Sequence, residues 1–80
     1  MESWKETTNG LVKVFKFRNF LKANYFVNDI AKIAEAENHH PDILLHSYDQ
    51  VKITSITHDE GEITCKDYNL AKEIDSIIQV

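Results

Sequence analysis

Ala23, Phe26, Val27, Ile30 and Ala34 recur at steps of three and four residues, the spacing that stacks side chains along one stripe of an α-helix. The stretches on either side do not share that period. "LVKVFKF" before it and "VKITSITH" after it alternate instead, as strands do when successive side chains point to opposite faces. A chain that changes period in this way mixes helix and sheet in one short span. Asn19 is placed to cap the helix, and Pro41 ends it by biasing His40 away from helical dihedrals. The spacing predicts a helix over about 20–38.

The remaining segments follow the same logic. Asn9-Gly10 separates strands expected at about 3–8 and 11–18, and both turn positions are expected to need positive φ. In the second strand Phe15 and Phe17 share one face while Val12 and Val14 share the other, so both faces are partly apolar. "ILLHSY" and "VKITSITH" read as two strands flanking Asp49-Gln50, with Val51, Ile53, Ser55 and Thr57 on one face and Lys52, Thr54, Ile56 and His58 on the other. Thr64 and Asp67 form a capping-box-like start for a last helix, which carries Leu70, Ala71, Ile74, Ile77 and Ile78 on one side. The order is ββαββα. It implies an α+β fold, a four-stranded antiparallel sheet with helices packed on one face, as a single domain over 1–80. Eighty residues bury only roughly 60–65% of their unfolded surface, so the core is thin and oligomerisation is expected to complete it.

Composition removes several functions. The net charge is −4 and the nine basic residues are dispersed along the chain, which gives no attraction for a phosphate backbone, so no direct nucleic-acid partner is expected. No apolar run approaches the ~18 residues of a membrane span, and "MESWKETT" lacks the charged start and apolar middle of a secretion signal. With Cys65 as the lone cysteine, no internal disulfide forms. A cytoplasmic, reducing location is the expectation.

The chemistry-bearing residues gather at two junctions. His39 and His40 stand where the first helix gives way to a strand, and His58 where a later strand gives way to a loop. Glu35 lies one helical turn before His39 and can share its face. Asp42, Asp59, Glu60, Glu62 and Asp67 are close in sequence to these imidazoles. Three readings are open on these residues alone. The histidines are surface or helix-capping residues favoured by the helix dipole; or they hold a metal, which needs about three protein ligands and one open position; or they move protons, since imidazole both donates and accepts near neutral pH. No His-x-His, His-x-x-x-His or paired-cysteine spacing supports the metal.

"AEAENHHPDI", "SYDQVKI", "THDEGEIT" and "KDYNLAKEI", in that order and spacing, resemble the pterin-4a-carbinolamine dehydratase family, also described as dimerisation cofactors of a homeodomain transcription factor. The resemblance runs from Trp4 and "VFKF" through the last helix. It implies a four-stranded antiparallel sheet with helices on one side, assembled as a homodimer or homotetramer. It also implies dehydration of 4a-hydroxy-tetrahydropterin to quinonoid dihydropterin in tetrahydrobiopterin recycling, beside an aromatic amino acid hydroxylase and without metal or cofactor. Many members carry a further helix before the first strand, and none is expected in the few residues that precede it here. Carried over, His39, His40 and His58 match the catalytic histidines. His39 is expected to protonate the departing hydroxyl, with His58 opposite and His40 fixing the pterin. Glu35, Asn38, Asp59, Lys66 and Asp67 take supporting or substrate-binding places, Glu35 holding a ring nitrogen and Asn38 standing where some members have Asp. Two departures stand out: Gly61-Glu62 replaces a frequent double glycine, and Ile43 replaces a frequent Trp. The alternative is a non-catalytic interaction module on the same fold. Trp4, Tyr25 and Tyr48 are expected in the core or an interface, and His46 on the surface or at an interface.

Overall fold

A computed structural model describes residues 4–78. The expected start of the first strand, at residue 3, lies outside that range. The elements are β1 (Lys5–Thr7), β2 (Gly10–Lys16), α1 (Phe20–Glu37), β3 (Asp42–His46), β4 (Gln50–Ser55) and α2 (Cys65–Ser76). Two hairpins join through their inner strands, giving an antiparallel sheet of order β1-β2-β4-β3. Alternation makes the inner face. Leu11 and Phe15 of β2 and Val51 and Ile53 of β4 meet Ala23, Phe26 and Ile30 of α1 and Leu70, Ala71 and Ile74 of α2 in one apolar cluster. Both helices therefore cover the same side of the sheet, as the periodicity requires. Among the described residues, no helix is long and apolar enough to cross a membrane.

α1 starts where the sequence places it. The Asn19 side chain accepts the Lys22 N–H at 2.8 Å, satisfying one of the helix's free donors. Its end has a different cause from the proline expected to stop it. Asn38 adopts the left-handed conformation (φ 54°, ψ 41°), its N–H reaching the Glu35 carbonyl and the following His39 N–H reaching Ala34 at 3.1 Å. This is a Schellman closure with asparagine in the place glycine usually takes. Pro41 lies three residues beyond a helix already closed.

Both hairpin turns are displaced from expectation. In the first, Thr8 and Asn9 lie between the paired residues Thr7 and Gly10, and only Gly10 has positive φ, 135°. The Thr7 hydroxyl explains the shift: it accepts the Asn9 N–H at 3.1 Å and donates to the Gly10 carbonyl at 2.8 Å. Gly10 then passes so close to β4 that a Cβ would sit 2.5 Å from the Ser55 carbonyl oxygen. Gly10→Ala is accordingly expected to cost about 1–3 kcal/mol, from backbone strain at that φ and the clash, measured by urea unfolding. In the second hairpin the turn falls on Ser47 and Tyr48, both at positive φ (52° and 55°), rather than around Asp49-Gln50. Asp49 is buried and its carbonyl accepts the Phe17 N–H at 2.8 Å, which binds it to β2 and pushes the reversal onto exposed residues.

Two side chains fasten α2 across the sheet. Lys13, on the inner face between Leu11 and Phe15, reaches Asp75 at 2.9 Å, and the Trp4 indole N–H donates to the other oxygen of that carboxylate at 3.0 Å. Trp4 is a core residue as expected. Tyr25 and Tyr48 are exposed, so neither belongs to the core. His46 ends β3, half-buried, with its ring beside the Ser47 hydroxyl.

Candidate active site

His39, His40 and His58 line a single hollow of about 280 Å³, together with Asn38, Ile56, Thr57, Asp59 and Lys66. Three element ends build it: the close of α1, the strand-to-loop passage after β4, and the first turn of α2. The left-handed turn at Asn38 ends the helix here, so that His39 and His40 leave it rather than continue its spiral. A bridge between Thr57 and Glu62, with the Thr57 N–H donating to the Glu62 carbonyl at 3.2 Å, shapes the loop that carries His58. Gly61 takes positive φ, 68°, within it, so the single glycine kept from the frequent pair meets the need for a left-handed residue. A larger hollow of about 470 Å³ lies elsewhere and contains no histidine.

The carboxylates are distributed differently from the sequence expectation. Glu35, expected to share the face of His39, bonds instead to Nε2 of His40, at 2.5 Å. Because the helix closes at Asn38, His39 turns toward α2, and His40 is the ring that returns over the last helical turn. This pair is exposed on both sides and contributes little to stability. His39 takes Asp67 as its partner, Nε2 to Oδ1 at 2.7 Å. A carboxylate only accepts, so Nε2 carries the hydrogen and Nδ1 is the nitrogen left to exchange protons.

Asp67 is fully buried, and every bond it makes is accounted for. Oδ1 accepts from His39 and from the Ser55 hydroxyl at 2.5 Å; Oδ2 accepts from the Thr57 hydroxyl at 2.8 Å and the Thr64 N–H at 2.9 Å. The last of these is the expected capping box of α2. Thr64 completes the chain, its hydroxyl 2.6 Å from that of Thr57. Burial by itself pushes the Asp67 carboxyl up. The hydrogen bonds from His39, Ser55, the Thr64 N–H and Thr57 outweigh it and hold the group below its ordinary value of 3.8. Asp67 is therefore an ionised group beneath the hollow, wired to one of its rings.

Ser55 and Thr57 were not singled out as functional in the sequence. Their signal was nonetheless present: two hydroxyls on the face of β4 that also carries Val51 and Ile53. A buried polar group needs a partner, and α2 supplies it. Of the residues expected to support the site, Asn38, Asp59 and Lys66 line the hollow, Asp67 lies under it, and Glu35 touches it only through His40. Cys65 is exposed. Among the described residues, no three His, Cys, Asp or Glu side chains are grouped to hold a metal ion.

The chain and its fold have counterparts among known proteins. The model of the family described as "Pterin 4 alpha carbinolamine dehydratase" matches residues 1–77. Relatives named "Putative pterin-4-alpha-carbinolamine dehydratase" are 43% identical over 74 residues in Picosynechococcus sp. (92% of this chain, 79% of the relative) and 43% identical over 77 residues in Sulfolobus acidocaldarius (96% and 84%). Among solved structures, a transcriptional coactivator/pterin dehydratase from Brucella melitensis superposes with a TM-score of 0.89 at 28% identity, over 99% of this chain and 85% of that one. A pterin dehydratase-like protein identified as a RuBisCO assembly factor in the alpha-carboxysome shares the fold, with a TM-score of 0.76 at 23% identity over 92% and 87%. With a family match across nearly its whole length and relatives above 40% identity, the chain belongs to the pterin-4a-carbinolamine dehydratase family.

Proposed function

We propose that this protein dehydrates a 4a-hydroxy-tetrahydropterin to the quinonoid dihydropterin. The step belongs to tetrahydrobiopterin recycling in the cytoplasm, beside a pterin-dependent aromatic amino acid hydroxylase. The observation that carries the reading is the meeting of three imidazoles, from two distant stretches of chain, at one hollow above a buried carboxylate that orients one of them.

The reaction makes few demands. The C4a–O bond breaks, the hydroxyl leaves as water after gaining a proton, N5 gives up its hydrogen, and the N5 electron pair closes the C4a=N5 bond. No electrons enter or leave, so no redox cofactor is required. Groups that titrate near pH 6.5, as imidazole does in water, serve both proton transfers. His39, with its Nε2–H held by Asp67, acts as the imidazolium: it gives the Nδ1 proton to the leaving hydroxyl and is left as the neutral ring with hydrogen on Nε2. His58 takes the N5 proton from the opposite side. His40, steadied by Glu35, fixes the pterin, while Asn38, Asp59 and Lys66 supply polar contacts at the rim. Purified protein is expected to accelerate dehydration of synthetic 4a-hydroxy-tetrahydropterin; a rate equal to that of buffer alone would remove the enzyme reading.

A second reading, an interaction module on the same fold, draws on a separate observation. Phe20, Leu21 and Tyr25 expose more than half of their surface at one end of α1, and Val14 and Leu44 do so, or nearly so, on the open face of the sheet. Apolar side chains so exposed suit a homodimer or homotetramer, which also answers the thin core of a short chain. Light scattering at micromolar concentration is expected to give a dimer or tetramer mass, and a monomer would exclude this use of the surface.

A further inference from the structure

Three of the nine basic residues, including the lone arginine, fall within seven positions of the chain and line one hollow. Lys16 ends β2, Arg18 follows it, and Lys22 stands in the first turn of α1. All three line the 470 Å³ hollow, whose apolar part is Phe15, Phe17 and Ile78. A second hollow of about 260 Å³ shares Phe17, Lys22 and Ile78 and prolongs the groove along α1. The aromatic part is held firmly, because the rings of Phe15 and Phe17 each pack on Phe26 with centroids 4.8 Å apart.

The charge pattern here departs from that of the rest of the molecule. Thirteen acidic residues are available, and Lys13 has recruited one of them. Among the described residues, none of Lys16, Arg18 and Lys22 has a carboxylate within ion-pair reach. Asp29 lines only the second hollow. The first turn of α1 contains no acidic residue, although a helix N-terminus favours one. The positive end of the helix thus adds to three converging cations, over an aromatic surface, with no carboxylate of the described residues in ion-pair reach. The volume falls within the roughly 300–1,000 Å³ of small-molecule sites. Along α1 the groove and the histidines stand at opposite ends of an 18-residue helix, about 27 Å apart at 1.5 Å per residue.

The geometry points to a second binding site, independent of the histidine hollow, for a small planar aromatic anion. Its ring rests against Phe17 and Ile78, and its phosphate or carboxylate is held by Arg18, whose planar fork suits two oxygens at once, with Lys16 and Lys22 beside it. A concave, aromatic-floored hollow with cations at its rim fits one ring system and one anionic group.

The test titrates ¹⁵N-labelled full chain with phenyl phosphate, following backbone amides by NMR. Saturable shifts are expected at Phe17, Arg18, Lys22 and Ile78. Inorganic phosphate and phenol, each carrying half of the ligand, are expected to bind at least about tenfold more weakly, as is phenyl phosphate to the double variant Arg18→Gln/Lys22→Gln. That variant should keep the fold and the dehydration rate, so failure here is separable from failure of the enzyme reading. Absence of saturation up to about 10 mM, shifts centred on His39 and His58, or equal binding by the double variant would overturn the site. Shifts of the same amides on protein dilution without ligand would overturn it too, assigning the groove to a contact between copies.

Discussion

Asp67→Ala is expected to destabilise the fold by about 3–5 kcal/mol, the range for removing one partner from a buried charged network. The loss strands the Ser55 hydroxyl, the Thr64 N–H and the His39 Nε2–H, which this carboxylate accepts, while the Thr57 hydroxyl keeps that of Thr64, and a buried donor left unpaired costs about 1–3 kcal/mol. Asp67→Asn separates charge from shape. An amide cannot present its NH₂ to the Thr64 N–H, so the NH₂ turns toward Ser55 and His39. The imidazole must then accept at Nε2, which moves its hydrogen to Nδ1. The variant should stay folded and lose most of its activity, because a neutral amide does not balance the charge of a protonated His39 ring as the carboxylate does. Its stability has a pH signature. A carboxyl whose folded value lies below 3.8 adds its full stabilisation above that pH, and the contribution fades as pH falls through the folded value. The stability gap between wild type and Asp67→Asn should therefore narrow below pH 3.8 in urea titrations. A gap that stays constant through that range would mean that folding does not hold this carboxyl below its ordinary value.

His39→Ala is expected to lower the dehydration rate by about 10² or more, since a placed general acid or base contributes about 10²–10⁴. Ser55, Thr57 and Thr64 keep their bonds to Asp67, so stability should fall far less than for Asp67→Ala. His58→Ala should give a loss of similar size. The double variant should fall well short of the product of the two losses, because residues acting as one unit do not add. Equal rates for His39→Ala and wild type would assign the hollow to binding alone.

Much of the fold was legible because its signals are short-range. The stripe from Ala23 to Ala34, the cap at Asn19, the Thr64–Asp67 box and the alternation through β4 each depend on residues within a few positions. The turns were misplaced where a local rule met a stronger neighbour. Thr7 claimed the Asn9 N–H, and Asp49 was tied to Phe17. Ser47 and Tyr48 carry none of the glycine or asparagine that usually announces positive φ, so that reversal left no mark in the chain. At the site, the three histidines and the carboxylates Glu35 and Asp67 were readable as a set, but which carboxylate meets which ring was not. Whether Glu35 meets His39 or His40 depends on one left-handed residue. Asp67 reaches His39 only after α2 docks on the sheet. Ser55 and Thr57 announced a buried acceptor without naming it. The cations of the groove stand close together in the chain, but the hollow itself was not legible, since Ile78 joins them only in the finished core.

The placement of Asp67 has a consequence for how this protein can be regulated or damaged. The same carboxylate caps the last helix, so any excursion that lifts that helix from the sheet, by local opening rather than global denaturation, also releases the imidazole it steadies. Protection of the Thr64 and Asp67 amides against deuterium exchange should then track catalytic competence across variants, temperatures and crowding conditions, making the terminal segment a built-in gauge of how much of the population is ready to turn over.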